Sequence, residues 1–364
     1  MRTLAYFLPL LLVALLAAGC VGFNNPDGWA SAEVSGDVLY LTLDRGELTA
    51  VDAASYDVIW QFPEADEQAC GEEDPELREL EGIYAAPVIA GGAVYFGAWD
   101  GNVYALDEAT GDCTWDFETN DPIIGGLTLM EDRLYAASTD GNLYVIDPET
   151  GAEIARAHAG DVWSRPAVAD GVLYVGNVGG DLRAFDPETL DQVWDAPFSV
   201  PSGLLTDPQP LDGSVIVGGL GEKLFAIDAE TGDELWAFEA GNWFWGRPVV
   251  EAGAVYATNL DSRVYAVDIE TGSGIWDFGT EAPMRAGPVL AGDVVIAVDN
   301  SGNVYGLDPL TGDLIWNVPT EIDKTVHADP YVLPDGNVMI VTRGGDVFTV
   351  APEDGRLTTI RIQG

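Results

Sequence analysis

Residues 268–276 read Asp-Ile-Glu-Thr-Gly-Ser-Gly-Ile-Trp, and the skeleton Asp-x-x-Thr-Gly-x-x-x-Trp inside them returns along the chain. It stands again at Asp107-Thr110-Gly111-Trp115, Asp228-Thr231-Gly232-Trp236 and Asp308-Thr311-Gly312-Trp316. Worn copies lie at Asp52-Trp60, Asp147-Thr150-Gly151, Asp186-Thr189-Trp194 and Glu353-Gly355. That makes eight units, most of them 39–43 residues apart. A period of about 40 residues with strand-like filling predicts an all-β, eight-bladed β-propeller.

One unit shows how a blade is built. Pro248-Val249-Val250 is a short apolar run, and Glu251-Ala252-Gly253 turns. Ala254 to Thr258, Arg263 to Asp268 and Ser273 to Phe278 follow as strands, with turns at Asn259 to Ser262 and Glu270 to Gly272. β-Branched and aromatic residues fill the runs, while Gly, Asp and Asn break them. Four antiparallel strands per unit make a propeller blade.

The recurring residues have mechanical roles. The Asp carboxylate accepts N–H groups of the turn after it. The Gly supplies positive φ. The Trp buries a large area against the neighbouring blade. Trp60, Trp115, Trp194, Trp236, Trp276 and Trp316 are mortar in this reading, and Tyr104, Tyr144, Tyr265 and Tyr305 pack likewise. The first and eighth units each hold a full set of strand candidates, so complete blades should close the ring.

The charge is extreme: 15 basic and 61 acidic residues give a formal net charge of −46. Only Lys223 and Lys324 are lysines. Such a surface repels phosphate backbones and anionic headgroups, so nucleic acid is not an expected partner. Solubility, as in a salty habitat, explains the charge. A face for divalent cations or for a basic partner is the sharper alternative.

The first residues read as an export signal. Met1-Arg2 is a basic start, and Leu4 to Ala18 is too short for a comfortable membrane span. Leu16-Ala17-Ala18-Gly19-Cys20 resembles a bacterial lipobox, which implies cleavage before Cys20 and acylation of its thiol. Residues 1–19 are then the signal peptide, 20–28 a lipidated tether and 29–364 the propeller. Eight extended tether residues span at most about 28 Å, so the ring sits close to the bilayer. The expected location is extracytoplasmic: the periplasmic face of an outer membrane where one exists, the cell surface otherwise.

The patterns Pro-Val-x-x-Gly-x-Val-Tyr-x-Gly and Tyr-Ala-x-Asp-x-x-Thr-Gly-x-x-x-Trp resemble the pyrroloquinoline-quinone-type (PQQ-like) propeller repeat. Lipobox plus eight such repeats is similar to the BamB-type lipoproteins of outer-membrane β-barrel assembly. The resemblance implies a non-catalytic scaffold, a monomeric ring that docks on a membrane-embedded protein. Quinone dehydrogenases of the superfamily hold their cofactor against a disulfide of two adjacent cysteines, with an Asp base and a Ca²⁺ ion. This chain has no Cys-Cys pair. PQQ is therefore not expected, and no metal site is legible. His158 and His327, the only histidines, fall in different units, and no nucleophilic triad is visible.

Function should lie in the variable loops that join one blade to the next. Trp163, Arg165, Leu204, Leu205, Asp207, Trp243, Phe244, Trp245, Arg247, Arg285, His327 and Asp329 fall just before Pro166, Pro208, Pro248, Pro288 or Pro330. Aromatics with scarce arginines are what binding hot spots use. Packing between blades, with Arg–Asp pairs bracing the loops, is the structural alternative for the same residues. In BamB-type proteins a Leu/Arg-bearing loop and an acidic loop carry the partner contact, and Leu204-Leu205, Arg165 and Asp207 look loosely similar as a region. A carbohydrate or ligand receptor with Trp163, Trp243 and Trp245 as stacking platforms is the second expectation.

The stretch 63–82 is an acidic insertion with no Ca²⁺-loop pattern. Cys70 lies in it and Cys113 in the next blade's hairpin. With Cys20 acylated, these two are expected to form a disulfide.

Overall fold

The computed structural model describes residues 31–43, 46–63, 70, 80, 82–318 and 325–362. Cys20, the signal segment, the tether and most of the acidic insertion lie outside them. The described residues form eight four-stranded antiparallel sheets, each in strand order 1-2-3-4. Blades 1 to 8 span residues 32–62, 88–118, 128–158, 167–199, 209–239, 249–279, 289–318 and 331–360. First strands of adjacent blades lie against one another, so they surround the axis. Fourth strands lie outermost and alternate exposed with half-buried residues. The ring closes without a borrowed strand: blade 8 and blade 1 are each complete. Their joint is an apolar cluster of Leu39, Leu41 and Val51 with Met339, Val341 and Val347.

The repeat motif acts across blades. Asp228 Oδ1 accepts the N–H groups of Glu230 at 3.0 Å and Thr231 at 2.8 Å. These bonds hold its carboxyl below the usual range, the Thr231 N–H contributing most. The chain then reverses at Gly232 with φ 78°. In the outer pair of blade 5, Ala226 faces Trp236 and Ile227 faces Glu234 across a bulge. The bulge turns Trp236 inward and throws Leu235 outward, where it is 53% exposed. Ile59, Ile154, Ile275 and Ile315 are exposed for the same reason.

Each mortar Trp grips the next blade's turn. Trp236 Nε1 donates to the Ile269 carbonyl at 2.8 Å, and Trp276 Nε1 to that of Pro309 at 2.9 Å. Trp60, Trp115, Trp194 and Trp316 make the equivalent bond. The same indole covers the next blade's turn glycine. A Cβ on Gly272 would stand 2.7 Å from the Trp236 ring. Gly is therefore needed twice over, for its φ of 69° and for this approach.

Two joints lack the Trp. Blade 3 has Ala155 in its register position, and the next blade then has Leu190, not Gly, at φ 59°. Leu190 fills the vacated space and is buried in the cluster that Ala155 packs against. At the closing joint Tyr56, φ 60°, stands at the Gly position and packs, as do Ile360 and Ile362, against the apolar cluster of that joint.

Cys70 and Cys113 are joined in a disulfide, Cα to Cα 5.3 Å. The insertion leaves blade 1 at the loop-rich end, whereas Cys113 opens the outer strand of blade 2 at the other end. Both cysteines pack against the cluster that holds Trp60, Phe62 and Leu80. The bridge closes a 43-residue separation. Cys113→Ser should lower unfolding stability by about 2–4 kcal/mol, measured by chemical denaturation without reductant.

Candidate functional site

The loops entering the inner strands converge on one funnel at the end of the axis, with a cavity volume of about 210 Å³. The funnel has two tiers, set by register with the residue that opens each blade, which is Pro in six blades, Leu127 in blade 3 and Ala32 in blade 1. Three residues before it stand Tyr84, Ile124, Trp163, Leu205, Trp245, Arg285 and His327, and all seven line the cavity. Even-numbered blades give the rings Tyr84, Trp163, Trp245 and His327. Blades 3, 5 and 7 give Ile124, Leu205 and Arg285. Directly before the Pro, Arg165, Asp207, Arg247 and Asp329 line the lower tier with Ser31, Ala86 and Gly126.

Several expected site residues are placed otherwise. Leu204 and Phe244 are each 1% exposed and belong to the cores between blades. They sit one residue before the funnel-lining position, and the extended backbone there turns successive side chains opposite ways. Leu205 lines the wall but is 8% exposed, which leaves little of it for a partner. Trp243 lies outside the funnel lining. Its carbonyl accepts the Leu260 N–H at 3.0 Å, a rung repeated between Gly82 and Trp99 and between Asp161 and Val178.

The two acidic members of the lower tier act as braces. Asp207 Oδ1 accepts the Arg165 N–H at 2.7 Å, and Asp329 Oδ1 accepts the Gly287 N–H. Arg165 Nη2 donates to the Ala86 carbonyl at 2.9 Å, two blades away. These contacts match the bracing alternative. Trp163, Trp245, Arg247, Arg285 and His327 remain as the side chains the funnel presents. Trp163 Nε1 donates to Asp161 at 3.0 Å, and the Arg285 guanidinium lies 5.3 Å from the Trp245 ring centroid.

Sequence reading missed three neighbours. Glu33 lines the funnel and accepts the Tyr331 hydroxyl at 3.3 Å. Blade 1 has Ala32, and blade 3 Leu127, where the other six carry Pro, which hid the register. Trp99, on the turn between the second and third strands, packs against Tyr84 with the rings tilted and their centroids 5.3 Å apart. The rung to Gly82 recurs in register, so that turn could have been aligned too.

Burial raises the carboxyls of Glu33 and Asp329, while nearby Arg165 and Arg247 oppose the shift at Glu33. Burial, then the charges of Arg285 and Arg343, pull His327 down to about 4. The unfolded chain binds this proton below about pH 6.5, whereas the folded chain resists until about 4. Stability should therefore fall as pH drops through that window. His327→Gln should remove about 1–3 kcal/mol of this dependence, read from denaturation midpoints at pH 7 and pH 4.5.

A sequence model described as outer membrane protein assembly factor BamB matches residues 99–211 and 199–352. The chain belongs to the BamB family. Its fold also matches the crystal structure of BamB from Moraxella catarrhalis with TM-score 0.70, at 19% identity, covering 87% of this chain and 92% of that one. The computationally designed Ika8 protein matches with TM-score 0.73 at 16% identity, covering 92% of this chain and 97% of that one. At these identities the likeness is one of fold. Among curated proteins, the dehydrogenase subunit of a quinone alcohol dehydrogenase from Gluconacetobacter polyoxogenes is 26% identical over 177 residues, 45% of this chain. The quinohemoprotein alcohol dehydrogenase ADH IIB of Pseudomonas putida is 29% identical over 92 residues, 23% of this chain. The chain spans 19% and 12% of those proteins' lengths. BamB-family membership thus rests on the match across blades 2 to 8.

Proposed function

We propose that this protein is a non-catalytic, lipid-anchored extracytoplasmic scaffold that docks protein partners on its funnel face, with a BamB-like role in outer-membrane β-barrel assembly. The carrying observation is the upper tier. Seven blades place side chains at one register position, and these bring two tryptophans and an arginine together at one end of the ring. Large rigid aromatics and arginine are the residues from which interface anchors are made. Ser31, the first described residue, lines the funnel, which supports a reading in which this end of the ring is the one facing the bilayer.

The residues do not fit a quinone cofactor held as the dehydrogenases hold it. The disulfide joins cysteines 43 positions apart and packs outside the funnel. Among the described residues no group of three His, Cys, Asp or Glu side chains is arranged to hold a metal ion.

Affinity capture from detergent-solubilised membranes tests this. The parent protein should retain a β-barrel assembly component, and Trp163→Ala with Trp245→Ala should lose it. Equal capture by both would remove the funnel face from the interaction. No protein capture, with glycan binding lost in the same variant, would favour a carbohydrate receptor.

A further inference from the structure

Arg247 differs from the other charged residues of the lower tier. Asp207 and Asp329 accept backbone N–H groups, and Glu33 accepts the Tyr331 hydroxyl. Arg165 is laid across Gly126 onto the Ala86 carbonyl, and any side chain at Gly126 would collide with its guanidinium. Arg247 lines the same cavity and is exposed. Its charge acts on Glu33 and Asp329, but among the described residues its guanidinium is tied to neither by a described hydrogen bond or salt bridge. Arg285, on the next blade, brings a second guanidinium to the wall over Trp245.

We propose that the funnel binds a carboxylate attached to an apolar body, with Arg247 taking the carboxylate and Trp163 and Trp245 flanking the body. A guanidinium offers a carboxylate two parallel N–H donors, which sets orientation as well as affinity. The cavity of about 210 Å³ suits an amino-acid-sized group. The chain's charge of −46 does not forbid this. Exposed charges beyond about 8 Å are screened at physiological ionic strength, so local groups decide. Locally, Arg165, Arg247 and Arg285 offset Glu33, Asp207 and Asp329. A cation would instead meet Arg247 and Arg285 at the wall. The carboxylate source is a small organic acid or the free end of a peptide chain.

The test uses the purified full chain, so its failure leaves partner docking untouched. Calorimetric titration at pH 7 compares N-acetyl-L-phenylalanine with its amide. The acid should bind about tenfold tighter or more, as expected for one charge-assisted hydrogen-bond pair. Arg247→Gln should cost the acid about tenfold in affinity and leave the amide unchanged, with an unaltered melting curve. Arg247→Lys should recover part of the loss. A decapeptide ending in phenylalanine should match the small acid if the source is a chain end, and bind more weakly than it if the source is a small acid. Equal binding of acid and amide, absence of acid binding, or an acid affinity indifferent to Arg247→Gln would overturn the proposal.

Discussion

Replacing Trp236 by Ala will destabilise the ring by about 3–5 kcal/mol. The indole is 7% exposed, donates to Ile269 and covers Gly272, so its loss opens a hole and orphans a carbonyl together. Gly272→Ala should also be destabilising, because its Cβ meets the indole at a backbone φ that L-residues avoid. The joint between blades 3 and 4 supplies the sharper test. Ala155→Trp should overpack against Leu190 and cost about 1–3 kcal/mol. Leu190→Gly should leave a cavity and cost about 2–5 kcal/mol. The double variant rebuilds the Trp-on-Gly joint seen elsewhere. It should be more stable than the sum of the singles by about 1–3 kcal/mol in a double-mutant cycle. Strict additivity would mean that these residues do not share one space.

Ionic strength should have an effect of similar size. The chain has 61 acidic against 15 basic residues. Described ion pairs such as Arg156–Glu153 and Lys223–Glu239 are exposed and worth little. Self-repulsion is therefore compensated mainly by solvent ions. Raising salt from about 10 mM to about 1 M shortens the screening length from roughly 30 Å to 3 Å. The melting temperature should rise by about 5 °C, several kcal/mol at roughly 1–2 °C each for a chain of 364 residues. Sodium and choline chloride should act alike if screening is the cause. A melting temperature independent of salt would show that the charges are far enough apart not to matter.

The blades were legible because their determinants are local and repeated. Asp228, Gly232 and Trp236 do their work within nine residues, and the next unit supplies the surface they meet. The Leu190 and Tyr56 joints were less legible. Each substitution makes sense only beside the missing Trp of the preceding blade. At the funnel, Phe244 and Trp245 are adjacent in sequence and opposite in fate, one in the core and one on the wall. No periodic pattern runs through that loop to say which is which. Glu33 and Tyr331 meet only because the ring closes, 298 residues apart. The braces at Asp207 and Asp329 needed the neighbouring blade's N–H groups, which residue types alone do not place.

Site-specific photo-crosslinking in native membranes tests the docking face most directly. A photo-activatable phenylalanine analogue would replace Trp163, on the funnel wall, and separately Glu230, at the opposite, hairpin end. Adducts with a membrane-embedded protein from position 163, and none from position 230, are the expected result. Adducts from position 230 alone would contradict the account and move the working face to the other end of the ring.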